Sequence, residues 1–209
     1  MHLLLTDRLT CPRCGPGFGL ILLAHRLEDR VVHEGVLGCP NCRDGFPVTS
    51  GFGDLRAPPR GARGAGLAGP HGSADSDHTG RLLAQLGVMG GPGTVALVGE
   101  PARAAIGVAE ALPEIHVAAI DADLASWPEV ERVSRLVTSP GLPFFDASLR
   151  AVALDARLGP GWLAEAARVV APRGRAVVVH ASEGVATSLE NAGLRVVATD
   201  AETVVAARS

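Results

Sequence analysis

Hydrophobic positions between residues 79 and 209 fall into short continuous runs, not long stripes. Residues 94–98, 116–120, 133–137, 151–154 and 175–180 each read as a strand, because an apolar run bounded by turn residues suits a sheet covered on both faces. Between these runs the spacing becomes helical over 79–86, 102–112, 162–170 and 182–192. Such alternation predicts an α/β fold of parallel β-α units. The exception is the stretch after 116–120, where Pro128 interrupts the pattern and predicts a reduced or missing helix before the third strand. Pro172-Arg173-Gly174 predicts a turn ahead of the fifth strand. Residues 195–199 and 203–207 flank Asp200-Ala201-Glu202 and predict a hairpin, which closes an otherwise parallel sheet with an antiparallel pair.

Residues 56–78 read RAPPRGARGAGLAGPHGSADSDH and carry no hydrophobic period. Gly, Pro, Ala and Ser in that proportion predict a flexible linker, which divides the chain into 1–55, 56–78 and 79–209. Arg56, Arg60 and Arg63 precede any acid in it until Asp75, an arrangement that suits either contact with RNA phosphate or a plain solvated tether.

The first segment holds every cysteine of the chain, in two Cys-Pro-x-Cys turns, Cys11-Pro12-Arg13-Cys14 and Cys39-Pro40-Asn41-Cys42. Thiolates spaced in this way bind one ion through a tight turn, and two turns complete a four-sulfur tetrahedron suited to Zn²⁺. The 24 residues between Cys14 and Cys39 leave room for a hairpin of 19–24 with 30–37, the plan of a zinc ribbon. Four thiolates leave no open position for substrate, so the ion is expected to be structural. Iron in the same cage, a redox pair or two disulfides are the alternatives; paired spacing without secretory features favours metal. The ribbon's apolar strand around residues 20–23 is expected either to pack on the rest of the chain or to face another protein.

Composition narrows the chemistry. At 209 residues, 47% hydrophobic and net charge −3, the chain is not a generally basic nucleic-acid binder. All 19 basic residues are arginine, which excludes Schiff-base and Walker-lysine chemistry. The apolar start at residues 3–5 ends at Asp7, and no run approaches the roughly 18 to 20 residues that cross a bilayer. A soluble, cytoplasmic protein is expected.

Leu142-Pro143-Phe144-Phe145-Asp146-Ala147-Ser148, then 164–175 and 189–195, resemble the framework of class I S-adenosylmethionine-dependent methyltransferases. The cysteine ribbon, with Phe46-Pro47-Val48 and Gly51, resembles a zinc-ribbon family that activates methyltransferases acting on tRNA and translation factors. A ribbon before such a domain is also similar to ribosomal RNA guanine methyltransferases, which complete their metal site differently. The resemblance implies a Rossmann-like sheet, a cofactor turn at Gly99 and Glu100, and Asp121 on the cofactor ribose. It further implies a protein partner through the ribbon and an RNA or protein substrate.

This chain departs from that pattern. Pro101 and Arg103 stand near positions where further glycines are expected, and proline removes an N–H while arginine adds bulk. The adenine-contacting acid is replaced within Val137-Thr138-Ser139, and Leu149-Arg150 stands where Phe-Asp is usual. Asp155, at the end of the fourth strand, is the candidate general base, against a surface pair with Arg157; His180, ending the fifth, reads as crevice-facing or as a hydrogen-bonded edge residue. Two functions are expected from these losses: a scaffold or activating subunit with weakened or lost S-adenosylmethionine binding, or an active methyltransferase on RNA or protein.

Overall fold

Each apolar run becomes a strand of one sheet in the computed structural model, which describes residues 1–72 and 76–209. The first segment contains α1 (Leu3–Thr6), β1 (Thr10–Cys11), β2 (Gly15–Gly19), β3 (Ile21–Glu28), β4 (Val31–Gly38), β5 (Gly45–Thr49) and β6 (Phe52–Arg56). The second contains α2 (Ser76–Leu86), β7 (Gly93–Val98), α3 (Ala105–Ala111), β8 (Ile115–Ile120), β9 (Val133–Ser139) and β10 (Leu149–Asp155). It continues with α4 (Gly161–Val169), β11 (Val170–Val179), α5 (Val185–Asn191), β12 (Arg195–Thr199) and β13 (Thr203–Ala207). Of the linker expected over 56–78, residues 73–75 lie outside the described residues, and 57–72 contain neither helix nor strand.

Among the described residues, eleven strands share one sheet in the order β12-β13-β11-β10-β7-β8-β9-β6-β5-β4-β3. Strands β7 to β11 are mutually parallel, while β13 runs antiparallel to both β11 and β12, the closing hairpin expected from Asp200-Ala201-Glu202. The ribbon continues this sheet: β6 lies parallel to β9, with Phe52 opposite Arg135 and Arg56 opposite Ser139. A second seam joins Leu9 to Phe144 by a bridge and the Thr10 amide to the Pro143 oxygen at 2.9 Å. Both expected placements are therefore met in part: the ribbon is paired to its own chain through β6, while β3 stays at the open edge of the sheet. On β3, Leu20 just ahead of it is buried, whereas Ile21 and Leu23 are 63% exposed, so one face of that edge strand remains open.

Period-two alternation builds two core layers. Ala96 and Val98 of β7 join Leu136, Phe144, Leu149 and the ribbon's Leu9, Leu37 and Phe46 on one face; Val95 and Leu97 join Leu82, Leu86, Val108, Ile115 and Trp127 on the other. Two helices start later than expected: residues 100–104 form a 3₁₀ turn ahead of α3, and Gly184 at φ 89° delays α5 to Val185. Between β8 and β9 a 3₁₀ turn at Asp123–Ser126 stands where a reduced or missing helix is expected. Helix α4 runs directly into β11, and the turn expected at Pro172-Arg173-Gly174 is a bulge in that strand: Val170 pairs with Leu149 and Arg175 with Ala151.

Candidate metal centre and sheet crevice

The two Cys-Pro-x-Cys turns bring four sulfurs to within 4.8 Å of one another, and all four thiols are free. Cys11 Sγ lies 3.7 Å from Cys42 Sγ, and Cys39 Sγ lies 3.8 Å from Cys14 Sγ. A tetrahedron with sulfur–metal bonds of about 2.3 Å has edges of about 3.8 Å, so the donor set fits a zinc-sized ion. Disulfide bonds require sulfurs at about 2.0 Å, which these separations exclude. The Cys14 amide donates to Cys11 Sγ at 3.4 Å, and Asn41 Nδ2 donates to Cys14 Sγ at 3.3 Å, outer contacts that orient both sulfurs toward the cluster. Arg13 pairs with Asp44 at 2.9 Å and ties the first turn to the second.

The second site lies at the C-terminal ends of β7, β8 and β10, where an open α/β sheet takes its ligands. Gly99 follows β7 with φ 72° and ψ −133°, a conformation that requires glycine. A Cβ there would meet Asp155 Cβ at 2.9 Å and both Leu67 and Leu158 at 3.4 Å. Asp121 follows β8 and is 6% exposed. Its Oδ1 accepts from the Asp123 amide, and its Oδ2 accepts from the Leu67 amide, each at 2.9 Å. Asp123 accepts from the Gly66 amide at 3.0 Å and the Gly69 amide at 2.7 Å, while Trp127 Nε1 donates to the Gly69 oxygen at 3.1 Å. Residues 65–69 thus cross the mouth of the crevice, with Ala68 fully buried. The space left beneath them is about 150 Å³, walled by Val98, Ile120, Val137, Leu158 and Trp162.

Glu100 turns away from this space. It lines a separate cavity of about 210 Å³ with His78, His180 and Glu202, and stands 3.9 Å from His78 Nε2. The structure therefore places Gly99 and Asp121 around Leu67 and puts Glu100 on the other side of the turn. Asp155 is not at the surface: its side chain is fully buried, whereas that of Arg157 is half exposed. Both carboxylate oxygens accept from Arg157, Nη2 at 2.6 Å, Nε at 3.0 and 3.1 Å, and the backbone amide at 2.9 Å. Burial would raise the carboxyl pKa, but these bonds outweigh it and hold the group below the usual carboxylate range. Thr138, in the segment that lacks the expected acid, donates to the Gly141 oxygen at 3.0 Å. His180, at φ 51°, stands 4.0 Å from Glu202.

The linker arginines are also engaged. Arg56 pairs with Asp54 at 2.7 Å, Arg60 stacks over Phe46 at 5.0 Å and Arg63 over Phe52 at 5.4 Å. Sequence reasoning missed Asp123, Trp127 and the strap of amides they hold; the only available signal was the Asp121-Ala122-Asp123 repeat at a strand end. It also missed a cavity of about 450 Å³ at the seam, walled by Pro12, Pro16, Pro140, Trp162 and Arg168.

No protein-family model and no curated protein matches the chain. Solved structures do. The geranyl diphosphate C-methyltransferase of Streptomyces coelicolor, in complex with Mg²⁺, geranyl-S-thiolodiphosphate and S-adenosyl-L-homocysteine, superimposes with a TM-score of 0.50 at 12% identity over 64% of this chain and 76% of that chain. A chain of the complex between the Haloferax volcanii Trm112 methyltransferase activator and a methyltransferase gives 0.47 at 21% identity over 60% of this chain and 71% of that chain. At such identity the likeness concerns the fold alone: the chain has a methyltransferase-like fold. No helix among the described residues is long and apolar enough to cross a membrane.

Proposed function

We propose that this chain is a methyltransferase-fold scaffold or activating subunit, with a structural zinc ion in Cys11, Cys14, Cys39 and Cys42 and a crevice that does not take S-adenosylmethionine in its closed form. The observation that carries this reading is the bond from the Leu67 amide to Asp121 at 2.9 Å. The acid that the resemblance assigns to the cofactor ribose is spent on the chain's own backbone, and the remaining 150 Å³ falls short of the ~300 Å³ that a ligand pocket needs. As it stands, the crevice does not fit the cofactor.

The edge lengths of the sulfur cluster support zinc, which would supply no catalysis but would fix the two turns against each other. Reduced thiols at that site suit the cytoplasm. The open face of β3, with Ile21 and Leu23, is the surface of the ribbon left for a protein partner. Arginines spent on Phe46, Phe52 and Asp54 weigh against RNA. The alternative, an active methyltransferase on RNA or protein with Gly99, Glu100 and Asp121 as cofactor contacts and Asp155 as base, is favoured by one observation: Gly99 and Asp121 do stand at adjacent strand ends.

Calorimetric titration of the zinc-loaded full chain with S-adenosylmethionine and S-adenosylhomocysteine separates the two. The scaffold reading expects no heat of binding up to millimolar ligand; micromolar binding would sink it and begin a substrate search.

A further inference from the structure

Residues 65–69 read Ala-Gly-Leu-Ala-Gly and touch the acids of the crevice through main-chain donors alone. Three amides converge on two carboxylates at 2.7 to 3.0 Å, charge-assisted bonds of the stronger kind. Gly66 is required at its position: a methyl there would lie 1.7 Å from Asp121 Oδ1 and 2.7 Å from Asp123 Cγ. Leu67 then fills the space beside Gly99. The cavity wall is mostly apolar, with Val98, Ile120, Val137, Leu158 and Trp162 beside Asp121 and Thr138, a lining suited to a planar base.

The geometry points to residues 65–69 being a reversible strap, a built-in competitor whose displacement lets a nucleoside ligand with vicinal hydroxyls reach Asp121. A hydroxyl donor can replace the one strap amide that Asp121 accepts, so that acid loses no bond in the exchange. Of the strap residues Ala68 is the one fully buried, so release of the strap uncovers little apolar surface. Its upstream end is tied to the ribbon. Arg56 Nη1 donates to the Gly61 oxygen at 2.9 Å, Arg60 Nη2 donates to the Gly45 oxygen at 2.8 Å, and Arg60 and Arg63 lie over ribbon aromatics. This inference rests on the reading that the closed chain excludes S-adenosylmethionine.

Gly66→Ala tests it in the zinc-loaded full chain, because the added methyl collides with Asp121 while Val98, Ile120, Val137, Leu158 and Trp162 are unchanged. Amide hydrogen exchange at Leu67 and Gly69 and calorimetric titration with S-adenosylhomocysteine are measured on parent and variant. The expected result is exchange at least tenfold faster in the variant together with affinity at least tenfold tighter. Faster exchange with unchanged affinity overturns the strap and leaves the scaffold reading intact. Micromolar binding by the parent overturns the scaffold reading; the strap then stands only if the variant still binds tenfold tighter. Leu67→Ala, which empties the space beside Gly99 without changing Gly66, is judged by the same criteria if Gly66→Ala does not fold. Unchanged exchange in both variants also overturns the strap.

Discussion

Arg135 of β9 donates through its guanidinium to the carbonyl oxygen of Ser50, in the ribbon turn that leads into β6. The same group donates to the Leu124 and Trp127 oxygens of its own half, so one buried cation holds three carbonyls from both sides of the seam. Burial lowers its pKa, with the Glu129 carboxylate partly opposing the shift. Carbonyl oxygens here replace the water that a desolvated guanidinium loses.

Replacing Arg135 by Met removes the charge and strands those three carbonyls. The expected loss is about 3 kcal/mol of unfolding free energy, read from the urea midpoint. The parent should unfold in one transition reported equally by ribbon and sheet. A midpoint that does not move would mean that the β6–β9 pairing holds the seam without Arg135.

Removing the metal should unfold the cysteine turns, since a four-thiolate site contributes its binding energy to folding. We expect one equivalent of zinc per chain by metal analysis, four thiols shielded from an aromatic disulfide reagent, and all four reactive after chelation. Cys39→Ser should lower zinc content well below one equivalent. Full thiol reactivity in untreated protein would argue against the site.

Acid should destabilise the protein well above the carboxylate range. His116 donates to or accepts from Ser134 Oγ at 2.8 Å, and burial first, then His2, the N-terminal amine, Arg132 and Arg8, push its pKa down from 6.5 to about 3. The unfolded chain therefore binds a proton below pH 6.5 that the folded chain refuses until about pH 3, and stability falls as pH drops through that window. The slope approaches about 1.4 kcal/mol per pH unit, so about 2 kcal/mol should vanish between pH 7 and 5. Comparing parent with His116→Gln isolates this group from the N-terminal amine, which is also lowered, to about 6. Equal pH slopes in the two proteins would remove His116 from the account.

Arg168 of α4 clamps the loop that meets the ribbon. It donates to the Phe144 oxygen at 2.7 Å, the Leu142 oxygen at 2.8 Å and Asp146 at 2.9 Å, and pairs with Glu165 at 2.7 Å. Arg168→Ala should cost about 2 to 3 kcal/mol and raise hydrogen exchange at Thr10, whose amide bonds the Pro143 oxygen. Slow exchange at Thr10 in the variant would show that the loop keeps its place without the clamp.

Much of the second segment was legible because its signals are local. The apolar runs at 94–98 and 116–120 are buried on both faces, so hydrophobicity alone marks them as β7 and β8, and Pro128 announces the missing helix. The strap was not legible. Its bonds use backbone amides, which every residue but proline carries, so a glycine-rich stretch reads the same whether free or held. The Asp155–Arg157 pair was legible, but its burial was not, because nothing near it in sequence reports that β10 lies between β7 and β11.

By itself the sequence determined the pairing of the two cysteine turns into one cluster, the parallel β-α order and the closing hairpin, since turn spacing and hydrophobic period are written within a few residues. Tertiary structure alone decided that the ribbon extends the same sheet and that Leu67 occupies Asp121. Those contacts join residues 83 and 54 positions apart, at Leu55 with Thr138 and Leu67 with Asp121, where pairing depends on which buried groups the completed fold leaves in need of a partner.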